Sequence, residues 1–405
     1  MFVLGVEKMK ASPGAPRITY APSGMRPAPC SETDRRRCID LGKLPKHDRL
    51  TKLWVSRLDD ATQMLVTHVL RIDAEGRCEE IVASSYRRTS CHSNADDLGH
   101  PNASVANTWK VLEEELPTKI SEQVSRSGAT HIIVLATGWR VDQGEAIRWM
   151  AQWRKGLTAH AGEDFRPLFV AITWPSHRWD GLLSFRNKAH DSDEVGLTWA
   201  NVLVNRTLPK VEGYGRLPIV YLGHSYGARM LSTAVYSGAA IDAPCPSQVR
   251  DRFLLVGLQP AFSTGRFAGS GARDSKAYEA YRGCSVKAVY VASENDSAVA
   301  FAPSQYLTRD SNYLGGKGAL IRAHEEGRRK FFETAPTTAQ DKVWLVDGSE
   351  HVSNHNDVCG SWIGWKLAML IDRYADPADK VHVKPLQALE PEGRKRSCSR
   401  VAGNG

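Results

Sequence analysis

From residue 105 onward the chain alternates short, nearly continuous apolar runs with stretches of helical period, and this limits its fold more than any other feature. The runs at 131–136, 168–173, 219–222, 253–258, 286–292 and 343–346 have the length and β-branched content of strands. Residues 105–126, 143–157, 193–206, 226–237 and 358–374 read as helices around them. A strand that is apolar at every position keeps no face for water. Such strands are covered on both sides, which predicts an α/β fold with a mostly parallel central sheet and helices on both faces.

Residues 51–88 read differently. Strand-forming runs at 53–55, 64–70 and 81–83, the last two separated by Asp73, Glu75 and Gly76, suggest antiparallel strands at the N-terminal edge of the sheet. The first 50 residues are rich in Pro, Ser and Arg and show no sustained period. The expected organisation is an irregular basic extension over 1–50, one α/β domain over 51–375, and a basic tail over 376–405. Of the formal net charge of +8, +5 lies in residues 1–50 and +2 in residues 375–405. A nucleic-acid-binding domain concentrates basic charge on its folded face, so this distribution reads as solvated ends and no nucleic-acid partner is expected.

A hydrophobic fraction of 42% and a charged fraction of 24% exclude a disordered or coiled-coil chain. No run approaches the ~18 apolar residues of a membrane span. The opening M-F-V-L-G-V is too short for a signal peptide. Those features favour the cytoplasm, while eight cysteines leave export open. No cysteine pair has C-x-x-C spacing, so no metal is implied, and a chain of this size does not need disulfides to build a core.

One segment carries chemistry. Gly223-His224-Ser225-Tyr226-Gly227 follows the 219–222 strand and precedes a helical stretch. This is the strand–turn–helix setting of a nucleophile elbow, in which flanking glycines relieve crowding and the serine hydroxyl stands at the carboxyl edge of the sheet. A serine needs a base to take its proton, and the base needs an acid to orient it. In this setting they follow in the order serine, acid, histidine. The loop after 286–292 offers Glu294 and Asp296, of which Asp296 stands beside a residue able to begin the next element. The loop after 343–346 offers His351 and His355, and His355 lies directly before the final helix. A tetrahedral oxyanion needs two backbone N–H donors. Tyr226, after the nucleophile, and Trp139, in the Thr137-Gly138-Trp139-Arg140 loop after 131–136, are the candidates.

With T-G-W at 137–139, T-W-P-S at 173–176, G-H-S-Y-G at 223–227, N-D-x-A at 295–298 and H-N-D-V at 355–358, the chain resembles an α/β-hydrolase. More specifically, it resembles a group of bacterial serine-hydrolase-like proteins of uncharacterised function, over about 130–375. The resemblance implies Ser225 as nucleophile, Asp296 as acid and His355 as base. Thr137 departs from the histidine usual in that group, which touches the geometry of the oxyanion loop.

The expected activity is hydrolysis of a small-molecule carboxylic ester through an acyl-enzyme, without metal or cofactor. Thioester or amide cleavage would use the same parts. The alternative is a catalytically silent hydrolase fold acting as a binding or surface protein. The loops expected to line a pocket are 176–190, with Trp179, and 260–282, with Phe262, Phe267, Tyr278 and Tyr281. Oligomeric state has no signature in the sequence.

Overall fold

In the computed structural model, nine strands form one sheet in the order β3-β2-β1-β5-β4-β6-β7-β8-β9. They are β1 (Phe2–Lys8), β2 (Met64–Ile72), β3 (Cys78–Val82), β4 (His131–Ala136), β5 (Pro167–Thr173), β6 (Ile219–His224), β7 (Phe253–Leu258), β8 (Lys287–Ala292) and β9 (Val343–Asp347). The structure describes residues 1–8, 64–73, 76–82, 105–176, 184–241, 252–267, 278, 287–300, 313–325 and 343–375. The expected strand at 53–55 and the basic tail over 376–405 lie outside the described residues.

The pairs from β1–β5 through β8–β9 are parallel, and only β1–β2 and β2–β3 are antiparallel. The sheet is therefore mixed and mostly parallel, with the antiparallel hairpin at one edge. Its helices are α1 (Val105–Lys110), α2 (Leu116–Ser127), α3 (Gln143–His160), α4 (Ser184–Leu197), α5 (Trp199–Val202), α6 (Tyr226–Tyr236), α7 (Ser297–Ala300), α8 (Lys317–Glu325) and α9 (Ser361–Ala375). A π-helical turn at Val111–Glu115 joins α1 to α2.

Side-chain alternation along the strands builds two cores. Ile132, Val134 and Ala136 of β4 join Ile219 and Tyr221 of β6 in one core, with Ala189 and Val195 of α4 and Met230 and Ala234 of α6. Ile133, Leu135, Val220 and Leu222 face the other way, toward Trp149, Met150 and Trp153 of α3 and Ile363, Leu367 and Ile371 of α9. This period of two is the physical content of a strand buried on both faces. Among the described residues, no helix is long and apolar enough to cross a membrane.

Two expectations need correction. The first eight residues are not irregular. Phe2–Lys8 is an inner strand, antiparallel to β2 and parallel to β5, with Val3, Leu4 and Val6 buried. Its run of apolar residues resembles the other buried strands, but its partners lie far along the chain, where no local pattern reaches. Second, the helix expected at 193–206 is broken: α4 starts at Ser184 and ends at Leu197, Thr198 interrupts the path, and α5 runs on into a π-helical turn at Leu203–Thr207. The polar sequence of α4 hides a helix whose Lys188, Asp191, Asp193 and Glu194 are buried. Cys78 and Cys359 are both disulfide-bonded, a point that the size of the chain and its cysteine spacing left open.

An inner β1 has a measurable consequence. Leu4 is 1% exposed, and a buried Leu→Ala change costs about 2–5 kcal/mol. Leu4→Ala is expected to lower the unfolding free energy by that amount in urea denaturation. A loss below ~0.5 kcal/mol, the scale of a surface change, would return residues 2–8 to the periphery.

Candidate active site

The carboxyl ends of β4, β6, β7, β8 and β9 converge on one edge of the sheet. At the end of β6 a single residue, Ser225, turns strand into helix, with φ 54° and ψ −119°. Its conformation is fixed from both sides: the Ser225 amide donates to Leu258 O (3.0 Å), and its carbonyl accepts from Ala261 N (3.2 Å) and Arg229 N (3.2 Å). The turn brings backbones into contact. A Cβ at Gly227 would lie 2.2 Å from Ala136 O, and one at Gly138 would lie 2.7 Å from Ser225 Cβ. Only glycine lets the helix start against β4 and lets the loop after β4 pass the serine.

Of the candidates on the two later loops, Asp296 and His355 meet Ser225. His355 Nε2 lies 2.8 Å from Ser225 Oγ, and His355 Nδ1 lies 2.8 Å from Asp296 Oδ2. An ionised carboxylate only accepts, so Nδ1 carries the proton and Nε2 is left to accept from the serine hydroxyl. Asp296 is fully buried, and its Oδ1 accepts from Ala298 N (3.1 Å) and Val299 N (3.2 Å) of α7. Glu294 is exposed, and its amide is held by Ser349 Oγ (2.9 Å). His351 is also exposed and stacks on Trp362, with ring centroids 4.6 Å apart. Trp362, in the second position of α9, therefore supports His351.

The two loops are laced together. Ser293 Oγ donates to Val352 O (2.7 Å), and Asn295 Nδ2 donates to Ser349 O (2.8 Å) and Val352 O (3.2 Å). Beyond His355, the indole of Trp153 on α3 donates to Val358 O (2.9 Å).

The T-W-P-S segment has a role that the sequence reading did not assign. Trp174 Nε1 donates to Thr137 O (2.9 Å), and Ser176 accepts from Arg140 N through its carbonyl (3.1 Å) and from Val141 N through its hydroxyl (3.1 Å). These bonds brace the loop that carries Trp139, so Thr137 takes part through its carbonyl. Arg140 adopts φ 64°, and its guanidinium lies 5.5 Å from the Trp139 ring centroid. Tyr226 begins α6 directly behind the serine.

The aromatic residues expected to line a pocket do something else. Phe262 and Tyr278 are buried and pack with Phe267, Tyr236 and Tyr290 in one cluster beside α6. They are core. Trp179 and Tyr281 lie outside the described residues.

Beneath α6 lies a buried ion cluster. Asp193 of α4 accepts from Arg229 Nε (2.9 Å) and from Arg266 Nη2 (3.1 Å), while Arg266 Nη1 donates to Tyr278 Oη (2.6 Å) and Arg229 Nη1 to Ala261 O (3.4 Å). Arg229 stands one helical turn after Ser225, so the cluster fixes the first turn of α6 to α4.

No family model and no curated protein matches the chain. Among solved structures, the crystal structure of Aspergillus fumigatus lipase B is similar at a TM-score of 0.29 and 10% identity, over 64% of this chain and 54% of that chain. The match spans about half the length of that lipase.

The ion cluster gives stability a pH dependence. Burial alone would raise the Asp193 pKa, but Arg229 and then Arg266 outweigh it and hold the carboxyl well below its ordinary range. A carboxyl depressed by folding stabilises the protein above its unfolded value of ~3.9, and that contribution fades as pH falls below it. Breaking a buried pair costs about 3–5 kcal/mol. Asp193→Asn should lose that much at pH 7 and show a shallower decline between about pH 5 and pH 2 than the unmodified protein. Urea denaturation across that range checks it, and equal slopes would assign the acid loss to another group.

Proposed function

We propose that this protein is a serine hydrolase of the α/β-hydrolase type that cleaves carboxylic esters through an acyl-enzyme on Ser225. The observation that carries the reading is the pair of 2.8 Å contacts linking Ser225 Oγ, His355 and Asp296 at the carboxyl edge of the sheet. Both fall within the reach that general-base catalysis needs.

In the proposed cycle, Ser225 Oγ attacks the ester carbonyl while His355 Nε2 takes its proton. Asp296 accepts from Nδ1–H, orients the ring and stabilises the imidazolium. The tetrahedral oxyanion is held by the Trp139 and Tyr226 amides, at the braced loop and at the N-terminus of α6, where the helix field favours negative charge. Collapse breaks the bond to the alkoxy group, which leaves with the proton from His355. Water then attacks the acyl-enzyme and gives a proton to His355; collapse breaks the bond to Ser225 Oγ, which takes that proton back from His355, and the acid is released.

Loss of a triad nucleophile or base costs on the order of a million-fold in turnover. Ser225→Ala is expected to abolish both hydrolysis of p-nitrophenyl esters and labelling by a fluorophosphonate, with the melting temperature little changed. A folded parent protein that neither labels nor hydrolyses any ester of a graded acyl series would make this a silent hydrolase fold with a binding role.

The two histidines of the last loop separate by the same assay. His355→Ala is expected to fall to the level of Ser225→Ala. His351→Ala removes only a ring stacked on Trp362 and should cost about tenfold or less. A dead His351→Ala beside an active His355→Ala would move the base to His351.

A further inference from the structure

Two side chains that the proposed cycle does not use sit against the loop that carries His355. His224, the last residue of β6, is 1% exposed, and its Nε2 lies 2.8 Å from His355 O. A carbonyl oxygen only accepts, so Nε2 carries the proton and Nδ1 is bare. Nδ1 is buried with no hydrogen-bond partner among the described residues. The ring lies between Trp149 of α3 and His355, with centroids 5.6 Å and 4.9 Å away. Gln259 follows β7. It is fully buried, adopts φ 46°, and donates from Nε2 to Asn354 O at 3.0 Å. Its Oε1 is likewise buried without a partner among the described residues.

Each residue carries a cost. A buried polar atom without a partner costs about 1–3 kcal/mol, and left-handed backbone at a non-glycine residue adds to it at Gln259. An apolar side chain would fill either place without an orphaned nitrogen or oxygen. Both polar heads are spent on consecutive carbonyls, those of residues 354 and 355. Around them the loop is loosely covered: His351, Ser353, Asn354 and Asn356 are exposed. The contacts from Ser293 and Asn295 reach the loop at Ser349 and Val352, and the Trp153 contact reaches it at Val358.

We propose that His224 and Gln259 are positioning residues that clamp the two carbonyls flanking the base, so that the His355 imidazole is aimed between Ser225 and Asp296 before substrate arrives. This rests on the reading of Ser225, Asp296 and His355 given above. The clamp joins the ends of β6 and β7 to the loop after β9, so the base is set by the same strand ends that set the nucleophile. It acts on orientation and makes no contact with the ester.

The test uses the full chain with His224→Phe, which keeps the ring and loses the donor, and Gln259→Met, which keeps the length and loses the amide. His224→Gln restores an N–H donor. The readouts are the rate of fluorophosphonate labelling at Ser225 and kcat and KM for p-nitrophenyl acetate, each on protein shown folded by its melting curve. Misplacement of a reacting group by an ångström costs up to about a hundredfold. Labelling rate and kcat should fall about ten- to a hundredfold in both variants with KM within about twofold, and His224→Gln should recover most of the loss. Folded variants that label at the parental rate would overturn the clamp and leave the hydrolase reading intact. So would a raised KM with kcat unchanged, which would make these residues substrate contacts. A parent protein that never labels overturns both readings. If one variant does not fold, the other decides; if neither folds, the two residues serve the fold and the proposal fails.

Discussion

One residue turns β6 into α6, and the geometry of the candidate site follows from that turn. Ser225 occupies a backbone conformation that L-residues avoid, at a cost on the order of 1–3 kcal/mol. It persists because its neighbours over-determine it. β7 accepts from its amide, the chain after β7 donates to its carbonyl, and glycine at 227 lets α6 begin in contact with the end of β4. A longer turn would relieve the strain and carry the hydroxyl away from His355.

The turn is also held from below by charge. α4 buries three acids, and each meets a partner from a different part of the chain. Asp191 pairs with Lys8 of β1 at 3.1 Å, Asp193 with Arg229 and Arg266, and Glu194 with the Met64 amide at 3.0 Å. Buried ion pairs contribute little net stability over an apolar equivalent, but removing one partner is expensive. An apolar stripe on α4 would tolerate sliding along α6 and β1, whereas three separately addressed carboxylates do not. Here the ion pairs of Asp191 and Asp193 and the hydrogen bond to Glu194 specify one placement of α4.

The strands were legible because a parallel sheet buried on both faces leaves a plain apolar record. β7 was read with its observed bounds. β6 runs two residues past its apolar core, since Gly223 and His224 still pair with Gly257 and Leu258. Ser225, Asp296 and His355 stood in the expected chain order and meet in space. What stayed hidden depends on distant partners. The charges of α4 carry no local sign of burial, because nothing near them in the sequence announces Arg266 or Lys8. β1 looked like an apolar start to a ragged segment because its neighbours are β2 and β5. Trp174, Ser176, His224 and Gln259 are ordinary residue types in their segments, and only the bonds they make across the strand ends distinguish them.

The position of β1 also bears on the order in which the sheet can close. Phe2 pairs with Arg71 on one side and with Val170 on the other. At synthesis rates of about 5–20 residues per second, β1 exists for on the order of ten seconds or more before β5 is made. During that interval the β1–β2 pair can form, but its other edge has no partner, and an apolar strand edge left open invites pairing with other chains. Sequential growth therefore cannot complete this sheet from one side to the other. β5 has to dock between β1, made much earlier, and β4, so the join between the antiparallel and parallel parts of the sheet depends on contacts far apart in the chain.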